Sequence, residues 1–75
     1  ELRKRGLNER QIKAVKYVKE KGKITNREYQ ELNGVSNKTA FIELSDLKEK
    51  DFLITEGIGR SLIYIIKGNE KVMIR

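Results

Sequence analysis

Thr25-Asn26-Arg27-Glu28-Tyr29-Gln30-Glu31-Leu32-Asn33-Gly34-Val35-Ser36-Asn37-Lys38-Thr39-Ala40 contains two helix starts and one helix stop. Thr25 and Ser36 each carry a side-chain oxygen that can cap the free N–H groups of a first helical turn. Glu28 stands three residues after Thr25, the spacing at which the two residues bond each other's backbone as a capping box. Tyr29 and Leu32 then make the apolar face of a short helix. Asn33-Gly34 tolerates positive φ and supplies a tight turn, behind which Val35 can bury. From Ser36 a further helix is expected to about Lys50, with Ala40, Leu44 and Leu47 as its buried stripe. The pair reads as a helix–turn–helix.

Upstream, Asn8 and Gln11 repeat the capping-box pattern. Ile12, Ala14, Val15 and Val18 follow at helical spacing, and Gly22 stops this first helix after a cationic last turn of Lys19 and Lys21. Lys23-Ile24-Thr25 is too short for more than a brief extended segment. Downstream, Phe52-Leu53-Ile54-Thr55 and Leu62-Ile63-Tyr64-Ile65-Ile66 are rich in β-formers. Gly57-Ile58-Gly59-Arg60-Ser61 between them reads as the flexible loop of a hairpin. The expected fold class is therefore α+β: three helices with a small antiparallel β-sheet, the hairpin forming a wing, which is a winged helix-turn-helix. Its domain spans residues 7–67. Its core is expected to hold Ile12, Val15, Val18, Tyr29, Leu32, Val35, Ala40, Leu44, Leu47, Leu53 and Ile63. Residues 1–6, with Arg3, Lys4 and Arg5, read as a basic linker or arm. Residues 68–75 read as a tail: a turn at Gly68-Asn69-Glu70-Lys71, then Val72-Met73-Ile74. This tail is compatible with an extra strand, pairing with a partner, or disorder.

Composition narrows the chemistry. Seventy-five residues form one domain with one modest core. The chain has no cysteine and no histidine. Disulfides and thiolate metal sites are therefore excluded, and so is the commonest acid/base near neutral pH. No organised nucleophile–base pair stands out, so neither enzymatic activity nor a cofactor or metal is expected. No apolar run approaches the ~20 residues needed to cross a bilayer, and the expectation is a soluble, cytoplasmic protein with no membrane partner. Because the sequence begins at Glu1, it reads as a terminal piece of a longer protein, the remainder lying N-terminal to it. The net charge is +6. Both ends are basic and residues 24–56 are acidic on balance, a distribution that points to a polyanionic partner or to a solvated, lysine-rich surface.

The segments Gly6-Leu7-Asn8-Glu9-Arg10-Gln11, Lys23-Ile24-Thr25-Asn26-Arg27-Glu28-Tyr29, and Gly34-Val35-Ser36 followed by Thr39-Ala40 and Leu44 carry a family resemblance. The chain resembles the winged-helix domains at the C-terminus of RecG-helicase-related transcriptional regulators, and its helix–turn–helix is similar to that of DeoR-like regulators. The resemblance covers roughly residues 6–66. It implies binding of double-stranded DNA by the third helix, through Ser36, Asn37, Lys38 and Thr39 at its start. A helix N-terminus offers free N–H groups to a phosphate, and Asn37 and Lys38 can reach phosphates or base edges. At the wing tip, Arg60, with Ser61 beside it, can grip a phosphate or enter a minor groove.

In one respect the chain departs from the family pattern. Where the family commonly has Thr-Ala-x-Arg-Asp-Leu, this chain has Thr39-Ala40-Phe41-Ile42-Glu43-Leu44. Helical geometry puts Ile42 opposite the Ala40/Leu44/Leu47 stripe, near Lys38, Ser45 and Glu49, on the face that would enter the groove. There Ile42 can touch thymine methyl groups. Alternatively, Phe41 and Ile42 form an apolar patch for a protein partner or a homodimer. A third arrangement buries Phe41 under the wing. The Lys13/Lys16/Lys19 row reads as the solvated back of the first helix, with DNA-backbone contact as the alternative. Gly57-x-Gly59 reads as a turn, not a nucleotide loop, because no helix follows it. Glu43, Asp46, Glu49 and Asp51 read as a solvated or salt-bridged helix surface. Tyr29 is assigned to the core, and Tyr64 is ambiguous.

Overall fold

A computed structural model describes residues 6–67. Residues 1–5 of the arm and the whole tail at 68–75 lie outside the described residues. The elements run α1 (Glu9–Lys21), α2 (Asn26–Asn33), α3 (Asn37–Glu49), β1 (Leu53–Glu56), a single 3₁₀ turn (Gly59–Ser61) and β2 (Ile63–Ile66). Three helices followed by a two-stranded antiparallel hairpin make an α+β, winged-helix-like fold. Among the described residues, no helix is long and apolar enough to cross a membrane.

Local chemistry explains each boundary. Asn8 and Gln11 close a complete capping box on α1, and Thr25 and Glu28 close one on α2. Ser36 accepts the Thr39 N–H at the start of α3. Gly34 adopts a left-handed φ of 64° and returns its N–H to the Gln30 carbonyl, which turns the chain from α2 into α3. The end of α3 is a Schellman motif. The Phe52 N–H reaches the Leu47 carbonyl at 3.0 Å and the Asp51 N–H reaches Lys48 at 3.1 Å. Its left-handed residue is Asp51, with φ 68°, where a glycine is usual.

The core is formed by Leu7, Ala14, Val15, Val18, Ile24, Tyr29, Ala40, Leu44, Leu47, Leu53 and Tyr64. Ile12, Leu32 and Val35 pack against it only partly buried. Two differences from the expected core share one cause. Ile24 exchanges two backbone hydrogen bonds with Tyr64, of 2.9 and 2.8 Å, so the short segment before α2 flanks β2 as a third, one-residue strand. On its other edge, β2 pairs with β1 in the register Leu53↔Ile66 and Thr55↔Tyr64. Side chains alternate along a strand, so Leu53, Tyr64 and Ile66 share the inner face. Ile63, expected in the core, falls on the opposite face and is only partly buried, while Tyr64 takes the buried position.

Asp51 yields a stability prediction. A left-handed conformation costs an ordinary L-residue roughly 1–2 kcal/mol, somewhat less for Asp, and nothing steric for Gly. The exposed Lys67–Asp51 ion pair, at 3.1 Å, offsets little of this. Asp51→Gly is therefore expected to stabilise the fold by up to about 1 kcal/mol, and Asp51→Val to destabilise it by about 1–3 kcal/mol, in a denaturant melt. Equal stability of the two variants would contradict this account of the α3 terminus.

Candidate nucleic-acid interface

The candidate face is built on α3, and what orients α3 is a buried carboxylate on its other side. Of the solvated or salt-bridged surface expected for it, Glu43 takes the salt-bridged alternative, but buried, at 8% exposed. Arg10 of α1 donates to it from Nε, at 2.9 Å to Oε1, and also from Nη2. The Tyr29 hydroxyl of α2 donates to Oε1 at 2.6 Å, and Asn8 Nδ2 donates to Oε2 at 3.2 Å. Beside it, Gln11 Nε2 donates to the Glu43 carbonyl at 3.1 Å and to Asp46 Oδ2 at 2.9 Å. Lys50 completes the row with an ion pair to Asp46. All three helices thus meet at one ionised group. Among the described residues, no buried side-chain polar atom lacks a partner. Sequence spacing along α3 could not reveal this cluster, because its donors lie on α1 and α2.

The electrostatics follow from the contacts. The Arg10 guanidinium holds the Glu43 carboxyl below its ordinary pKa against the opposing effect of burial, with help from the Tyr29 and Asn8 donors. Burial first, and then the hydrogen bond to Glu43, push the Tyr29 hydroxyl far above its usual range. The Asp46 carboxyl is lowered by Gln11 and then by Lys50.

With Glu43, Ala40, Leu44 and Leu47 turned inward, the opposite face of α3 is outward. Lys38 is exposed, Phe41 is 58% exposed and Ile42 is 55% exposed. This excludes the arrangement in which Phe41 is buried under the wing. Ser36 and Thr39 commit their hydroxyls to the cap, Ser36 Oγ lying 3.2 Å from both the Thr39 N–H nitrogen and Thr39 Oγ1. Asn37 is exposed, and its carbonyl accepts from Asn26 Nδ2 at 3.5 Å, which ties the start of α2 to the start of α3.

The wing comes back toward this face. The loop expected to be flexible carries the 3₁₀ turn, in which the Ser61 N–H bonds Ile58 at 3.0 Å. Gly57 has φ 81°, and a Cβ there would stand 2.5 Å from the Ser61 carbonyl oxygen, so the wing closes tightly on itself. Arg60 and Ser61 are exposed on this turn. Arg60 and Leu62 of the wing, Asn26 and Arg27 of α2, and Asn37 and Phe41 of α3 border one groove. Ile42 and Phe41 also line a shallower hollow on the far side of α3, with Ser45, Asp46 and Glu49. Arg27 was not singled out in the sequence as a site residue; its position in the first turn of α2, right after the Thr25 cap, was the one local signal. Lys13 turns toward α2, donating to the Leu32 carbonyl at 3.4 Å, while Lys16 and Lys19 are exposed. Among the described residues, no cluster of carboxylates is arranged to hold a metal ion.

No protein-family model matches the chain, and no curated protein is similar to it in sequence. The fold alone therefore defines the class, a winged-helix-like α+β domain.

Two predictions arise here. Because the pKa of Glu43 is lowered on folding, its ionised form contributes stability above the unfolded-chain value of about 4.5, and this is lost as pH falls through the lower folded value. Glu43→Gln is expected to destabilise the fold by about 2 kcal/mol at neutral pH, Arg10 being partly solvated. The gap should narrow between pH 5 and pH 3 in parallel melts; a gap independent of pH would rule out an ionised clamp. For the wing, Gly57→Ala is expected to lose about 1–3 kcal/mol, from strain and the clash with Ser61. Gly59→Asn, where a Cβ meets nothing within 4 Å, is expected to lose less than about 1 kcal/mol. Thermal melts of the two variants compare them directly.

Proposed function

We propose that this chain is a non-enzymatic, DNA-binding winged-helix module of a larger cytoplasmic transcriptional regulator. In this reading, α3 enters the major groove of double-stranded DNA and the wing lies on the backbone. One observation carries it: Arg60, exposed on a tightly closed wing turn, shares a groove with Asn37 and Phe41 of α3 and with Arg27. The first-turn N–H groups of α3 and Lys38 give the same face a phosphate-binding end. Four of the seven carboxylates in residues 24–56 are ion-paired within the fold. Glu43 is held by Arg10, Asp46 by Lys50, Asp51 by Lys67, and Glu31 by Arg27.

Such an interface is mainly electrostatic. Log affinity for a duplex is expected to fall linearly with log salt, at about −0.9 per phosphate neutralised. Arg60→Glu is expected to weaken binding about tenfold or more at low salt and to make the slope shallower by about one. Unchanged duplex affinity in Arg60→Glu would remove the wing from the interface. A second reading, a homodimer seated on Phe41 and Ile42, is favoured by the exposure of both side chains.

A further inference from the structure

We infer that Phe41 and Ile42 are a reading surface for thymine methyl groups in the major groove, so that the module prefers A·T-rich duplex through contact with the C5-methyl. This rests on the DNA-binding reading above and adds which feature of the base pairs α3 recognises. At 100° per residue, Lys38, Phe41, Ile42, Ser45 and Glu49 fall on one outward face, opposite the buried Ala40, Leu44 and Leu47. Phe41 and Ile42 flank the line of Lys38, Ser45 and Glu49 on either side, and both are more than half exposed. An apolar side chain on a helix in the major groove has one favourable partner among the base edges, the thymine methyl. The other groups there are hydrogen-bond donors and acceptors, which it cannot satisfy.

The surroundings of the pair favour a polyanion over a protein. Lys38 lies exposed on the same face, three and four residues before the pair, and Arg60 borders the groove that Phe41 lines; Arg27, also on that groove, is ion-paired with Glu31 beside it. Of the carboxylates nearest the pair along α3, Glu43 is held by Arg10 and Asp46 by Gln11 and Lys50, while Glu49 is exposed two turns further along the face.

The test uses the whole 75-residue chain and two duplex probes at low salt: alternating poly(dA-dT), and poly(dA-dU), which lacks the methyl group but keeps the hydrogen-bonding pattern. The chain is expected to bind the thymine duplex about three- to tenfold more tightly, the effect of burying one or two methyl groups. In Phe41→Ser with Ile42→Ser the ratio of the two affinities is expected to fall to about one, whatever the overall affinity, with an unchanged thermal melt because both side chains are exposed. Equal affinity of the parent for both duplexes overturns the inference while leaving DNA binding intact, as does a preference that survives the double substitution. Binding to neither duplex overturns the DNA reading itself. A parent that sediments as a dimer, and a double variant that sediments as a monomer, assigns the face to a second copy and overturns the inference.

Discussion

The burial of the Glu43 carboxylate organises this molecule. An ionised group removed from water is tolerated only where charge and hydrogen bonds replace the lost hydration. Here Arg10 supplies the charge from α1, Tyr29 a hydroxyl from α2, and Asn8 an amide from the cap of α1. These donors converge only when the three helices hold one mutual arrangement. The apolar core alone, small in a domain of this size, would tolerate a range of helix tilts, because hydrophobic contact is non-directional. Hydrogen bonds to a single carboxylate are directional, and they narrow that range.

Orientation has a consequence on the far side of α3. Residues 42 and 43 are neighbours in sequence, about 100° apart around the helix. Anchoring Glu43 inward between α1 and α2 sets the direction in which Phe41, Ile42 and Lys38 look outward. Arg10 pairs with Glu43 and Lys50 with Asp46, so two of the carboxylates of α3 carry their counter-ions with them, while Glu49 stays exposed.

The wing is held by a second, independent constraint. β2 sits between β1 and the lone Ile24 position, bonded on both edges, and its Tyr64 side chain is buried. Edge strands are the weak points of small sheets, and the Ile24 pairing covers one of them at the cost of a single extended residue. The hairpin loop then closes through Gly57 against Ser61, which gives Arg60 a defined turn to stand on.

What the sequence determined by itself is what depends on neighbours a few residues apart. The Asn8/Gln11 and Thr25/Glu28 boxes, the Ser36 cap, the Gly22 and Gly34 stops and the β-rich hairpin all act within three or four positions, so helix order and the helix–turn–helix were legible in the residues. The outward position of Ile42 was legible too, because helical periodicity decides it once Ala40 and Leu44 are buried. Tertiary structure alone decided the rest. Glu43 looked like one more surface carboxylate until Arg10 and Tyr29, distant in sequence, arrived beside it. Ile63 was placed in the core and Tyr64 left open, because a run of five β-formers has no alternation to reveal which parity faces inward; the Ile24 bridge and the Leu53↔Ile66 register reversed the choice. The meeting of Arg60 with Asn37, Phe41 and Arg27 at one groove likewise depends on how the hairpin folds back over the helices. No local pattern specifies that, because its contacts span the length of the domain.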